Sequence, residues 1–216
     1  NERTNPCERL KRLEVMKEKV IFDTNSVHND DSISFFGNRN ELMQFAQVAE
    51  IIIPKIVIEE LRRKKLKKLI NKRRSFIDNP FHSLKGLNKD ETKQYDIDTF
   101  IQGLLDNEEF AFSVIDLKDN SVFDEIKELA LKKLPPFEKS DDTDKGFKDA
   151  LIYFAIREYL NEIPDKYIFV CVSDGRFKEA LNQHSNIIVV KNYQEFKEKS
   201  ISQYYDDYFI NKLKKS

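Results

Sequence analysis

Apolar residues along the chain fall into five short runs, separated by longer stretches in which they recur at helical spacing. The runs are residues 19–22, 51–53, 112–115, 167–172 and 186–190, rich in Val, Ile and Phe. They are too short for helices and lack strict alternation, which is the pattern of parallel strands covered on both faces. Between them, residues 40–50 place Leu42, Phe45, Ala46 and Ala49 on one side of a helix. Pro54 suits the first turn of a helix running from residue 55 toward Ile70. Residues 119–133 carry Val122, Phe123, Ile126, Leu129 and Ala130 on one stripe, and residues 147–160 carry Leu151, Ile152, Ala155, Ile156 and Tyr159. Residues 174–181 and 193–199 are shorter helical candidates. Residues 200–216 read as a terminal helix with Tyr204, Tyr205, Tyr208, Phe209 and Leu213 on its apolar side.

Strands alternating with helices predict an α/β fold of three layers, a central and mostly parallel sheet of four to five strands flanked by helices. The stretch from Leu66 to Glu109 breaks the rhythm. It holds no convincing strand and reads as helices with a turn near residues 76–86, so residues 62–110 are expected to form a helical insertion within one domain spanning 1–216. Pro135-Pro136 and the acidic run Asp141-Asp-Thr-Asp144 mark a loop before the helix at Phe147. No internal repeat or low-complexity tract is present.

Composition narrows the picture only a little. With 40% hydrophobic and 35% charged residues, a core beneath a highly charged surface is expected, and a net charge of −1 indicates no particular partner. Cys7 and Cys171 suggest neither a disulfide framework nor a zinc site; Cys171 reads as a small buried thiol, and a reducing cytoplasm is the default compartment. No run approaches the roughly 18 apolar residues of a membrane span. The chain begins with Asn rather than Met, which fits a piece of a longer protein whose leader or preceding domain is missing.

Chemistry enters at the strand ends. In an open parallel sheet, ligands bind beyond the carboxyl ends of the strands. Asp23-Thr24-Asn25 follows the first run, and Ser173-Asp174-Gly175 follows the fourth. Glu59-Glu60 falls about one helical turn after Pro54, and Asp149 lies in the first turn of its helix. Each acid alone has an ordinary explanation as a helix cap or a partner of the helix dipole. Four on one rim would repel one another unless something positive sat among them. An all-oxygen ligand set suits hard cations such as Mg²⁺ or Mn²⁺, and such ions support phosphodiester hydrolysis.

The series Val20-Ile-Phe-Asp-Thr-Asn25, Ile53-Pro-Lys-Ile-Val-Ile-Glu-Glu-Leu61, Gly146-Phe-Lys-Asp-Ala-Leu-Ile152 and Val172-Ser-Asp-Gly-Arg-Phe177 resembles the PIN-domain nucleases. The likeness runs from about Val20 to Val190 in the expected order, and it looks closer to longer bacterial members than to minimal toxins. The resemblance implies a metal-dependent nuclease with Asp23, Glu60, Asp149 and Asp174 as catalytic residues and ligands of Mg²⁺ or Mn²⁺. It places Asn25 and Ser173 where the family often has a polar residue that orients an acid or a water. Glu60 is chosen over Glu59 because the family's Glu commonly precedes a Leu, here Leu61; adjacent residues stand about 100° apart on a helix, so only one should face the cleft.

The densest cationic stretch, Leu61-Arg-Arg-Lys-Lys-Leu-Lys-Lys-Leu-Ile-Asn-Lys-Arg-Arg74, leaves directly from Glu60. Arg62, Arg63 and Lys64, with Lys145, Lys148 and Arg176 nearer the acids, are therefore candidates for nucleic-acid contact. A solvated helix face is the competing explanation. His28, His82 and His184 form no spaced motif and are read as non-catalytic. The leading expectation is an endoribonuclease acting on RNA, with DNA also open, in a toxin, RNA-processing or phage-defence role. An inhibitory or assembly partner and self-association stay open. The alternative is a catalytically silent PIN-like module that binds nucleic acid or scaffolds a larger complex. A phosphatase or receiver domain is disfavoured because Asp23-Thr24-Asn25 lacks the second Asp of the common phosphatase signature and no Lys is suitably placed for a receiver, and no Gly-rich phosphate loop exists.

Overall fold

The five apolar runs pair side by side into one all-parallel sheet in the order β3-β2-β1-β4-β5. The structure, a computed structural model, describes residues 17–213 apart from 30, 31, 33, 141, 142, 144 and 164–166, with side chains described up to residue 203. Cys7, most of the acidic run at 141–144 and the aromatic face expected at 204–213 lie outside the described residues. The strands are β1 (Glu18–Phe22), β2 (Ala49–Pro54), β3 (Phe112–Ile115), β4 (Ile168–Cys171) and β5 (Ile187–Val190). Val20 pairs with Ile51 on one side and with Phe169 on the other, which places β1 at the centre. Every residue of β4 is buried, as a strand covered on both faces requires.

Two helical layers cover the sheet. On one face, α2 (Arg39–Val48) and the long α10 (Tyr193–Leu213) meet over the strands. The Phe45 ring lies 4.9 Å from Phe22 and 5.1 Å from Phe196, and Phe196 lies 4.9 Å from Phe169. Burying side chains of this size is worth about 1.5–3 kcal/mol each, so this aromatic cluster pins both helices to the sheet. On the other face, α3 (Lys55–Asp78) and α8 (Phe147–Glu162) bury Val57, Leu61, Ile152 and Ile156. A short 3₁₀ turn (Asn120–Val122) leads into α7 (Phe123–Leu131), which packs on α8, as does α9 (Gly175–Leu181).

Boundaries differ from the sequence expectations in ways that have local causes. The helix expected over 40–50 stops at Val48, because Ala49 and Glu50 enter β2 opposite Glu18 and Lys19. Pro54 ends β2 and caps α3 instead of sitting in its first turn; its φ of −61° also suits an extended strand end. The helix expected to end near Ile70 continues to Asp78. The short helix at 193–199 and the terminal helix are one element. Against α3 pack α4 (Pro80–Leu84), α5 (Lys89–Gln94) and α6 (Ile97–Asp106), and no strand occurs among the described residues between β2 and β3. No described helix is long and apolar enough to cross a membrane.

The strand order sets the location of the site. The chain steps from β1 outward through β2 to β3, then returns to place β4 against the other side of β1. At that reversal, connections leave the carboxyl ends of β1 and β4 in different directions and open a crevice between them.

Candidate active site

Asp23 leaves β1 into that crevice and caps the one-turn α1 (Thr24–Val27), its Oδ1 accepting from the Ser26 amide at 2.8 Å. The Asp23 amide donates to the Cys171 carbonyl at 3.2 Å, and the Ser26 hydroxyl donates to the same carbonyl at 2.8 Å. The exits of β1 and β4 are thus tied together, and Asp23 is held at 3% exposure. Asp174 does for α9 what Asp23 does for α1: its Oδ1 accepts from the amides of Arg176 and Phe177, both at 2.9 Å. Each cap uses Oδ1, so each Asp keeps an oxygen that the cap does not need. Capping thus leaves room for a second role in the same side chain.

Glu60 projects from the second turn of α3. Its Oε2 accepts from the Thr24 hydroxyl at 2.9 Å, and its Oε1 is paired with the Lys148 ammonium, with Lys64 at 3.4 Å. Glu59 points elsewhere, into a separate pocket with Lys55 and Asp116. Asp149 is presented by the first turn of α8, whose N-cap Gly146 has a φ of +117°. A Cβ at Gly146 would lie 2.6 Å from the Phe137 Cα and 2.7 Å from the Pro136 carbonyl oxygen, so only glycine fits this turn.

Asp23, Thr24, Asn25, Glu60, Lys145, Lys148, Asp149 and Asp174, with Gly146 and Phe147, line one cleft of about 360 Å³. Its electrostatics follow from that crowding. Burial, followed by the charges of Asp174, Asp23 and Glu60, lifts the Asp149 carboxyl to about 7. Burial also raises Asp23, with Asp174 adding to it. For Glu60, burial pushes upward, but the bonds from Lys148 and Thr24 and the charge of Lys64 outweigh it and hold the carboxyl below its ordinary value.

The residues fit a hard divalent cation. The inward donors are carboxylate oxygens, supplemented by a hydroxyl and an amide, and Asp149 resists ionising until positive charge arrives. Among the described residues, no three His, Cys, Asp or Glu side chains are arranged to hold an ion as they stand. At Glu60 both oxygens already have donors. Opposite charge is present, but as lysine.

The remaining expected residues divide. Lys145 reaches 4.0 Å from Asp174 Oδ2 while bonded to Glu138 at 3.0 Å. Arg62 donates to Gln102 on α6 and lies outside the cleft lining, as do the exposed Arg63 and Ser173. Arg176 is taken up by the fold: its guanidinium donates to the carbonyls of Phe137 and Lys133 at 2.8 and 2.9 Å and pairs with Glu179. It buttresses the loop beside Gly146. Thr24 was not foreseen, although it sits in the quoted Asp23-Thr24-Asn25 motif, because only the fold brings α1 against Glu60.

The PIN domain family model matches residues 20–177, from β1 to the first turn of α9. The chain belongs to the PIN-domain family. Comparison with curated proteins and with solved structures gave no match. PIN domains are generally nucleases that use divalent metals, so the PIN fold accounts for an acid-lined cleft at the sheet's reversal point. The five-stranded parallel sheet agrees with a three-layer PIN architecture.

Proposed function

We propose that this PIN domain is a Mg²⁺- or Mn²⁺-dependent endoribonuclease whose metal ligands are Asp23, Glu60, Asp149 and Asp174. The observation that carries the reading is the meeting of four acids from β1, α3, α8 and the β4 exit in one cleft, with Asp149 raised to about 7. Mutually repelling carboxylates are poor for stability by themselves, and a bound cation turns that cost into affinity. Bound there, the ion supplies Lewis acidity and charge neutralisation for phosphodiester hydrolysis. Thr24 orients Glu60 through its hydroxyl, Asn25 offers a neutral polar contact at the cleft wall, and Lys145 and Lys148 hold positive charge where phosphate oxygens would enter. Ser173, next to Asp174, is assigned only a supporting role at the rim. RNA as the substrate, and a cellular role in toxin action or phage defence, rest on the family likeness.

A second reading, a silent nucleic-acid-binding module, draws on the Lys148–Glu60 pair, since a module that never binds metal has reason to keep such a pair. Cleavage separates the two. Purified protein is expected to cut single-stranded RNA with Mn²⁺ and to stop with EDTA. Asp149→Asn and Asp174→Asn should each lower the rate by at least about 10²-fold, of the order seen when groups that act at a reacting centre are removed. Cleavage that persists in both variants at the wild-type rate overturns the site.

A further inference from the structure

Helix α3 does not end at the cleft. It continues 18 residues past Glu60 to Asp78, and the dense cationic run lies on it. The structure sorts these cations by direction. Arg62 bonds Gln102, Arg73 donates to the carbonyls of Lys93 and Tyr95 at 2.8 and 3.1 Å, and Lys65 is buried. The two arginines hold α5 and α6 in place. Arg63, Lys67, Lys72 and Arg74 are exposed, and none has a carboxylate partner among the described residues; Lys72 stands about 120° round the helix from Glu60. Arg63, Lys67 and Arg74 follow Glu60 by 3, 7 and 14 positions, within about 60° of it around the helix and about 5, 10 and 21 Å along the axis, and Lys64 in the same sector is paired with Glu60. Asn71 stands in the same row.

We propose that this row is a track for the backbone of single-stranded RNA, leading away from the cleft along α3. The inference rests on the nuclease reading and names what that cleft is fed. In line with Glu60 the unpaired, exposed cations form a single row, with Lys72 turned away from it, and a single row follows one phosphate backbone, whereas a duplex would present two. Between Arg63 and Arg74 the row carries no apolar anchor, so it lacks the desolvated centre on which a protein partner depends. Flexible polyanions need only spaced cations and the release of their counterions. At a stacked rise of about 3.4 Å per nucleotide, the 21 Å row takes about six nucleotides beyond the one bound at Glu60. Asp78, back in line with Glu60, closes the track with like charge.

The test measures binding in EDTA, where no cleavage interferes. Labelled single-stranded RNAs of 3 and 12 nucleotides are titrated across a salt series by anisotropy. The variant is Arg63→Gln/Lys67→Gln/Arg74→Gln, and the control is Lys127→Gln/Lys191→Gln/Lys197→Gln, three exposed lysines on or beside α7 and α10. The track variant should bind the 12-mer on the order of tenfold more weakly near 0.1 M salt, with a log–log salt slope shallower by about 2, from about 0.7 per phosphate contact. Trimer binding should stay at the control level. Equal 12-mer affinity in variant and control overturns the track, as does equal loss on both lengths, and equal loss on a 12-base-pair RNA duplex overturns its single-stranded character. Cleavage with Mn²⁺ is scored separately. Unchanged binding with intact cleavage fails the track alone, whereas the expected binding loss without any cleavage fails the nuclease reading alone.

Discussion

Lys148 sets the balance of charge at Glu60. Its ammonium and the Thr24 hydroxyl together engage both oxygens of Glu60, and the ammonium is nearly half exposed, with 46% of the side chain accessible. Only the lysine is open to solvent, since Glu60 keeps 10% of its side chain accessible, so the pair is stronger than a surface salt bridge, and a divalent ion would compete for Glu60 through its higher charge. Removing the lysine removes both a competitor for Glu60 and a like charge close to the ion. Lys148→Met is therefore expected to bind Mn²⁺ about three- to tenfold more tightly by calorimetry, while cutting RNA more slowly for want of a phosphate contact. Unchanged or weaker Mn²⁺ binding in this variant would show that Lys148 does not compete for the site. Sequence reading gave Lys148 only the phosphate contact. The choice between Glu59 and Glu60 was open for a related reason, since helical spacing says that the two diverge but not which one the sheet will face.

At the scale of elements, the strands were legible because their signal is local. Each run is apolar and largely β-branched, and all five became neighbours in one sheet. What was not legible depended on distant partners. Ala49 and Glu50 look helical until Glu18 and Lys19 pair with them, and Arg176 looks like a free cation until residues 133–137 fold back onto it. That loop matters because it meets the start of α8. Gly146 takes a left-handed turn against the Phe137 backbone, and this turn aims Lys148 and Asp149 into the cleft. Gly146→Ala is expected to destabilise the protein by about 2–4 kcal/mol, combining backbone strain with a clash against main-chain atoms. Denaturant unfolding measures the loss. Mn²⁺ affinity should fall with it even where the variant is still folded, because the two residues next to the turn are displaced together. A variant as stable as the parent would mean that the loop yields easily and does not set the position of α8.

The whole molecule carries the cleft's repulsion as a dependence of stability on pH. Asp149 has its carboxyl at about 7 in the fold against 3.8 for the free group, so between these values the folded chain binds more protons than the unfolded one. Stability from this residue therefore rises as pH falls from 8 toward 4, and Asp23, raised by burial, acts in the same direction. Glu60 is lowered from 4.5, so its contribution is lost as pH falls through that value, at the acid end of the window. His184, lowered by burial, opposes the trend, since its unfolded form takes up protons first. Comparing wild type with Asp149→Asn at two pH values isolates the carboxylate from these other groups. In EDTA at pH 8 the Asn variant should be the more stable by about 2 kcal/mol, half the full linkage value because the side chain is only partly buried, or about 4–8 °C in Tm. At pH 5 the gap should narrow to about 2–3 °C, and it should close only below the free value of 3.8. Saturating Mn²⁺ should reverse the order at pH 8, because the ion links the exits of β1 and β4 with α3 and α8, and ligand at 100 times its Kd adds about 2.7 kcal/mol to the wild type alone. A variant that is no more stable than wild type in EDTA at pH 8 would mean that the four acids do not strain the fold and that no cation is needed to relieve them.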